Sequence, residues 1–251
     1  MILEVDMGNT RLKWRIRDQQ AIIAKGAIPI EAPLDSLINS LGRYSSTIDA
    51  VIVASVVGDL LEQSFSEWSL NCLKLRPVFL RSEAICGSVR NGYRQPAMLG
   101  VDRWMGIVAA YRLAGNTCIV VSCGTAVTVD LVACDGRHLG GFIAPGLSLM
   151  LDSLVSKTRQ IKVDGDIPVL SLSPATSTSD AIHRACAAML IGLVNNGVQQ
   201  LRELDQNNEP EIIFTGGDAG KLLSFYPQAR LVPDLVMEGF TCVLDYPTRL
   251  E

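Results

Sequence analysis

The chain has 251 residues, 48% hydrophobic and 19% charged, with a formal net charge of −4. That length buries a sizeable core as one large domain or two small ones. The acidic balance, with no basic run, argues against a nucleic-acid binder.

In chain order, residues 2–7, 11–17 and about 20–28 read as an antiparallel meander of three strands. Leu34–Leu41 reads as a short helix and the apolar run Asp49–Val56 as a buried strand. Gly58–Leu70 reads as a helix with Leu60, Leu61, Phe65 and Trp68 on one face. Pro77–Leu80 reads as a short strand, and Ser82–Leu99, without periodicity and holding Gly, Pro and Asn, as loop. Gly100–Ala114 is helical, with Trp104, Ile107, Val108 and Tyr111 at helical spacing. A second meander follows at 117–122, 126–133 and 137–143, turning at Asp135-Gly136. A helix is expected over 147–157, loop over 160–178, and the longest helix over Asp180–Leu204. The remainder reads as a strand at 211–215, a helix near 218–225 and a last strand at 229–232. The half boundary falls near 115, giving halves 1–115 and 116–251.

Three strands end in glycine turns. Asp6-Met-Gly-Asn-Thr10 ends the first, Ser122-Cys-Gly-Thr125 begins a turn of the same form, and Thr215-Gly-Gly-Asp218 closes a third. Aligning Gly8 with Gly124 gives strand, small turn, strand twice, which suggests a duplicated fold around one nucleotide. Glycine lets a backbone come close enough for its N–H groups to meet phosphate oxygens. Asp6 would repel a phosphate directly but can hold the Mg²⁺ that phosphates carry. Taken alone, the first turn reads better as a hairpin with a capping Asp. Asp102, at the start of the helix after Gly100, has two readings. It is an N-terminal acid favoured by the helix dipole, or a general base that orients an alcohol and takes its proton. Arg103 beside it could bind a substrate carboxylate through its two-pronged guanidinium.

Meander, crossover helix and meander again is the pattern of the actin-like (ribonuclease H-like) ATPase fold, α/β with a mixed sheet flanked by helices in each half. Within that fold the chain resembles the type III pantothenate kinase family. The matching pieces are Asp6-Met-Gly-Asn-Thr10, Val89-Arg-Asn-Gly-Tyr93, Gly100-Val-Asp-Arg103, Gly124-Thr-Ala-Val-Thr128, Gly140-Gly-Phe-Ile-Ala-Pro-Gly146 and Thr215-Gly-Gly-Asp218, in family order along nearly the whole chain. The resemblance implies an ATP-dependent kinase that phosphorylates pantothenate, the first step toward coenzyme A, as a homodimer activated by K⁺ or NH₄⁺. It implies Asp102 as catalytic base. The first phosphate loop becomes Asp6, Met7, Gly8, Asn9, Thr10, Arg11, Leu12 and Lys13, with Thr125 a nucleotide contact in the second. Tyr93, Gly100, Val101, Asp102 and Arg103 become the pantothenate pocket. Thr178 becomes a substrate contact that reaches the partner subunit's site. A sugar kinase of the same superfamily would share the phosphate loops but not the match at Val89–Tyr93. A non-catalytic nucleotide-binding regulator on the fold is the other alternative.

The departure that matters is Ser122, where the family usually has an Asp associated with the monovalent cation. A neutral hydroxyl holds K⁺ less strongly than a carboxylate. The seven cysteines form no Cys-x-x-Cys pair, and with two histidines there is no metal-finger spacing. Cys118 and Cys123 read as buried core thiols, and the usage fits a reducing cytoplasm. No signal peptide is expected, and the runs 51–57 and 118–133 are too short or too interrupted to cross a bilayer. His138 and His183 read as surface groups. Ile182, Ala185, Met189 and Leu193 read as the core stripe of the long helix, and any second stripe would be a dimer face with Ala187, Ala188 and Gly192 allowing close approach.

Overall fold

A computed structural model describes residues 1–157, 170–206 and 208–244. The first sheet holds β1 (Ile2–Met7), β2 (Arg11–Asp18), β3 (Ala21–Pro29), β4 (Ala50–Ser55) and β5 (Pro77–Phe79). The helices α1 (Asp35–Leu41) and α2 (Asp59–Cys72) lie between its strands in sequence. The strand order is β3-β2-β1-β4-β5, with the meander antiparallel and β4 and β5 parallel to β1. The meander forms because a tight turn can join antiparallel neighbours, whereas β1 to β4 and β4 to β5 need helical crossovers. Leu3, Val5, Leu12, Trp14, Val51 and Val53 bury one face of the sheet against Leu37 and Leu41 of α1 and Phe65 and Trp68 of α2. The Phe65 and Trp68 rings stand 5.3 Å apart. Leu60 and Leu61, expected on that face, are exposed instead. They occupy the first turn of α2, before the helix reaches the sheet.

The segment expected as loop after β5 contains two short strands, β6 (Ile85–Cys86) and β7 (Val89–Arg90), and a 3₁₀ turn at Pro96–Met98. Then come α3 (Val101–Ala114), β8 (Cys118–Cys123), β9 (Ala126–Val132), β10 (His138–Pro145), α4 (Leu147–Lys157) and α5 (Thr178–Leu204). The last described elements are β11 (Glu211–Thr215), α6 (Ala219–Leu223), β12 (Arg230–Leu231) and α7 (Leu235–Leu244), of which α7 is not among the expected elements. The second sheet runs β10-β9-β8-β11-β12. Its order and strand directions repeat those of the first sheet. The duplicated α/β architecture expected from the two meanders is therefore present.

The chain forms two compact units. One comprises 1–87, 93–106 and 236–251, and the other 88–92 and 107–235. In the second unit α5 lies across β8 and β9, burying Ile182, Cys186, Leu190, Val194, Val198 and Leu201 against Ile119, Val121, Val129 and Leu131. A Cβ on Gly197 would stand 2.7 Å from Ile119 Cδ1, so the helix sits close to the sheet there. Of the expected core stripe on this helix only Ile182 is buried; Ala185 and Met189 are exposed and Leu193 is half-buried. Burial follows 182, 186, 190 and 194, one residue off the expected register after the first position. Ala187, assigned to a close-approach face, lies in the core. The loop expected over 160–178 lies outside the described residues up to 169. No helix among the described residues is long and apolar enough to cross a membrane.

Candidate functional site

In the first unit, Asp6 is the penultimate residue of β1, paired in register with Lys13 of β2. The turn between the strands closes when Gly8 N–H donates to the Arg11 carbonyl at 3.1 Å. Asn9, Thr10 and Arg11 are exposed, while Met7 and Leu12 are buried and anchor the turn. Thr10 also ties the turn to the end of β3, its carbonyl accepting Ile30 N–H at 3.0 Å. Burial pushes the Asp6 carboxyl up to about 6; Lys13 pulls it down, and the charge of Asp102 raises it further. The turn therefore presents exposed backbone and side-chain groups beside one buried carboxyl that is costly to ionise alone.

Asp102 stands in the first turn of α3, and its Oδ1 accepts the backbone N–H of Arg103 at 2.8 Å. Gly100 permits this, since a Cβ there would lie 2.7 Å from Asp102 Oδ1. Arg103 is buried and donates from Nη1 to the Tyr93 hydroxyl at 2.8 Å. Its guanidinium carbon lies 5.5 Å from the centre of the Tyr93 ring. Val101 is buried. The structure thus brings Tyr93, Gly100, Asp102 and Arg103 together, and the charge of Asp102 is felt at Asp6. Asp102 thus accepts a bond at a helix start and lies close enough to a second carboxyl to perturb it.

In the second unit the turn at Gly124 is a residue shorter than its counterpart, with Gly124 N–H donating to the Ala126 carbonyl at 3.0 Å. Thr125 is exposed and its carbonyl accepts Gly146 N–H at 2.8 Å. A Cβ on Gly146 would stand 2.1 Å from the Gly124 carbonyl, so only glycine fits at that contact. The third turn packs on the same place: Asp218 N–H donates to the Cys123 carbonyl at 3.1 Å. Gly216, at φ +92°, has no room for a Cβ against Cys123. Ser122 is half-buried and pairs in register with Thr128 on one side and Thr215 on the other. Thr178 begins α5 and is exposed; the helix is capped by Ser177, whose hydroxyl accepts Asp180 N–H at 3.2 Å.

Cys118 and Cys123 are buried, as expected, and burial pushes both thiols up to about 12. Both histidines differ from the surface reading. His138 is buried, with Nε2 3.0 Å from the Asp130 carboxylate. His183 is buried, with Nδ1 2.9 Å from the Ser179 carbonyl. A charge cluster of Glu4, Arg15, Arg17 and Glu238 was not expected; Glu4 and Arg15 are fully buried, Arg17 and Glu238 only partly. Its sequence signal is weak: Glu4 lies in the mostly apolar β1, but Arg15 and Arg17 do not stand out in β2, which also carries Arg11, Lys13 and Asp18.

Asp6 fits a divalent cation, because a carboxyl held up by burial regains its charge when a cation shares the site. Among the described residues no group of three or more His, Cys, Asp or Glu side chains is placed to hold a metal alone. Such an ion would thus be held mainly by phosphate oxygens and water. The row Thr128, Ser122 and Thr215 offers neutral hydroxyls only, a weak donor set for a monovalent cation.

Residues 2–200 match the family model of type III pantothenate kinase. A type III pantothenate kinase of Cellvibrio japonicus is 39% identical over 248 residues, covering 98% of this chain and 97% of that protein. One of Azotobacter vinelandii is 36% identical over 255 residues, covering 99% and 100%. Among solved structures, a Sinorhizobium meliloti protein described as a 2-dehydro-3-deoxygalactonokinase superposes with a TM-score of 0.61 at 14% identity, covering 99% and 100%. A Campylobacter jejuni protein described as a Baf family transcriptional activator does so with a TM-score of 0.61 at 20% identity, covering 97% of each chain. At these identities the structures show the shared fold alone.

Proposed function

The chain belongs to the type III pantothenate kinase family, and on that premise we propose that it transfers the γ-phosphoryl group of ATP to the primary hydroxyl of pantothenate. The product is 4'-phosphopantothenate, the first intermediate toward coenzyme A. The observation that carries the reading is Asp102 at the start of α3, beside the Arg103–Tyr93 pair and within electrostatic reach of Asp6.

Phosphoryl transfer asks little covalent chemistry of a protein; positioning and charge do most of the work. Asp102 accepts the hydroxyl proton as the oxygen attacks. Arg103, braced by Tyr93, takes the pantothenate carboxylate, with Gly100 and Val101 shaping the pocket. Asp6 to Lys13 cradle phosphate oxygens through the turn N–H groups, the Thr10 hydroxyl and the Lys13 ammonium, while Thr125 contacts the nucleotide from the second turn. Mg²⁺ bound with ATP at Asp6 would offset the phosphate charge. K⁺ or NH₄⁺ activation is weak, because Ser122 lacks the charge such an ion needs.

We further propose a homodimer through the face of α5 on which Ala185, Ala188, Met189 and Gly192 are exposed among the described residues. Thr178 would then complete the neighbour's pocket. The functional halves are 1–115 and 116–251, and the enzyme works in the cytoplasm, without nucleic-acid or membrane partners. The test is ADP release across a panel of small alcohols and sugars. Pantothenate should support release well above every other acceptor; release with a sugar and none with pantothenate would sink the reading.

A further inference from the structure

We infer that Arg15 is a positioning residue, acting through the first turn of α7 to fix α3 and so to set Asp102 against Asp6. The inference rests on the reading of Asp102 as the base.

Glu4 and Arg15 face each other in register on β1 and β2, and both are fully buried. Arg15 Nε donates to one Glu4 oxygen, and Arg17 Nε donates to the other at 2.5 Å. The remaining arms of Arg15 leave the sheet. Nη1 donates to Glu238 Oε1 at 2.5 Å and Nη2 to the Met237 carbonyl at 2.7 Å. Burial alone would lower the Arg15 pKa, but the two carboxylates more than offset that and hold it above its ordinary value. One rigid guanidinium therefore joins two strands to the start of a helix, and its planar fork accepts few other arrangements.

A buried ion pair is a poor source of stability compared with apolar side chains of the same volume. What it supplies here is direction. The next residue of α7, Gly239, lies against α3 so closely that a Cβ would stand 2.3 Å from the Met105 carbonyl. Met105 is three residues from Asp102, about one helical turn. On the sheet, Asp6 is two residues from Glu4, so both side chains share a face. The path closes on itself: Asp6 and Glu4 on β1, Arg15 on β2, Met237 to Gly239 on α7, then Met105 and Asp102 on α3.

The experiment compares Glu238→Ala, Glu238→Gln, Gly239→Ala and the double variant Glu238→Ala/Gly239→Ala. The Glu238 side chain is 44% exposed, so its loss spares the core. Glu238→Ala and Gly239→Ala should each lower kcat about tenfold or more, as small misplacements of a reacting group do. KM for pantothenate and ATP should stay within about twofold. Glu238→Gln, which keeps the hydrogen bond, should restore most of kcat. The double variant should be no slower than the slower single, since both act on one displacement. A purely structural role would lower Tm with kcat unchanged, and that result overturns the inference; so do losses that multiply in the double variant. If Gly239→Ala does not fold, the Glu238 pair decides alone. Asp102→Asn at full rate would instead refute the base. A slow Asp102→Asn beside a fully active Glu238→Ala refutes only the role of Arg15.

Discussion

The two halves repeat one topology and differ in charge. Where β1 and β2 pair Asp6 with Lys13, β8 and β9 pair Ser122 with Thr128. One step further from the turn, the first hairpin pairs Glu4 with Arg15 and the second pairs Val120 with Asp130. Both sheets thus bury an ionisable group at the same place on the second strand, with different partners. Arg15 is satisfied from β1 and α7, whereas Asp130 is satisfied by His138 of β10. Duplication preserves the strand order because the backbone ladder and crossovers decide it. It does not preserve the chemistry, which depends on single side chains at the turns. The first hairpin carries Asp6, Arg11 and Lys13 beside its turn, and the second carries Ser122 and Thr128.

The largest effect should come from Asp102 at the start of α3. Asp102→Asn should keep the fold and pantothenate binding and lower kcat by about 10²–10⁴, since the amide cannot accept the proton. Steady-state rates beside a pantothenate titration check this, and a rate within about threefold of wild type removes Asp102 as base.

Asp6 tests the charged turn. Asp6→Ala should lower kcat/KM for Mg-ATP by roughly 10²-fold and leave the pantothenate dependence nearly unchanged. Varying Mg²⁺, ATP and pantothenate separately distinguishes the outcomes. The same residue makes a stability prediction. Its carboxyl titrates near 6 when folded against an ordinary 3.8, so the native state binds the proton more tightly. Stability tied to that proton is therefore full below about pH 4 and lost as pH rises through 6. Asp6→Asn should stabilise the ligand-free protein by up to about 3 kcal/mol at pH 8 and by much less at pH 4. Urea unfolding in chelator at the two pH values reads the difference; an equal effect at both would contradict the burial argument.

A smaller loss is expected on dilution, because Thr178 is assigned to the neighbour's pocket. Sedimentation alongside activity should show the rate falling several-fold as dimer is lost. A fully active monomer would defeat that assignment. The smallest effect should come from making the second turn resemble the first. Ser122→Asp should turn weak K⁺ activation into a saturable dependence, a change of a few-fold at constant ionic strength. Strong activation of the wild type at low millimolar K⁺ would show that charge at this position is not what holds the ion.

Much of this was legible in the sequence, for local reasons. Glycine turns between apolar runs announce hairpins, and Asp102 and Arg103 sit together because four consecutive residues place them there. What was missed depends on register or on distant segments. His138 is buried because β10 brings it over Asp130, and Arg15 finds Glu238 more than 200 residues away. The stripe on α5 was misread because that helix has apolar or small residues on two faces, and only packing decides which meets the sheet. α7, Leu-Val-Met-Glu-Gly-Phe-Thr-Cys-Val-Leu, is a short, mostly apolar run broken by Gly239, and so short an apolar run reads as readily as a strand.

The most direct measurement of the central claim is the identity of the product formed from pantothenate, Mg²⁺ and ATP, read by mass and by phosphorus-31 spectroscopy. The expected product carries one phosphoryl group on the primary hydroxyl of pantothenate and forms in step with ADP. ADP formed at the same rate without pantothenate, with the pantothenate left unmodified, would contradict it.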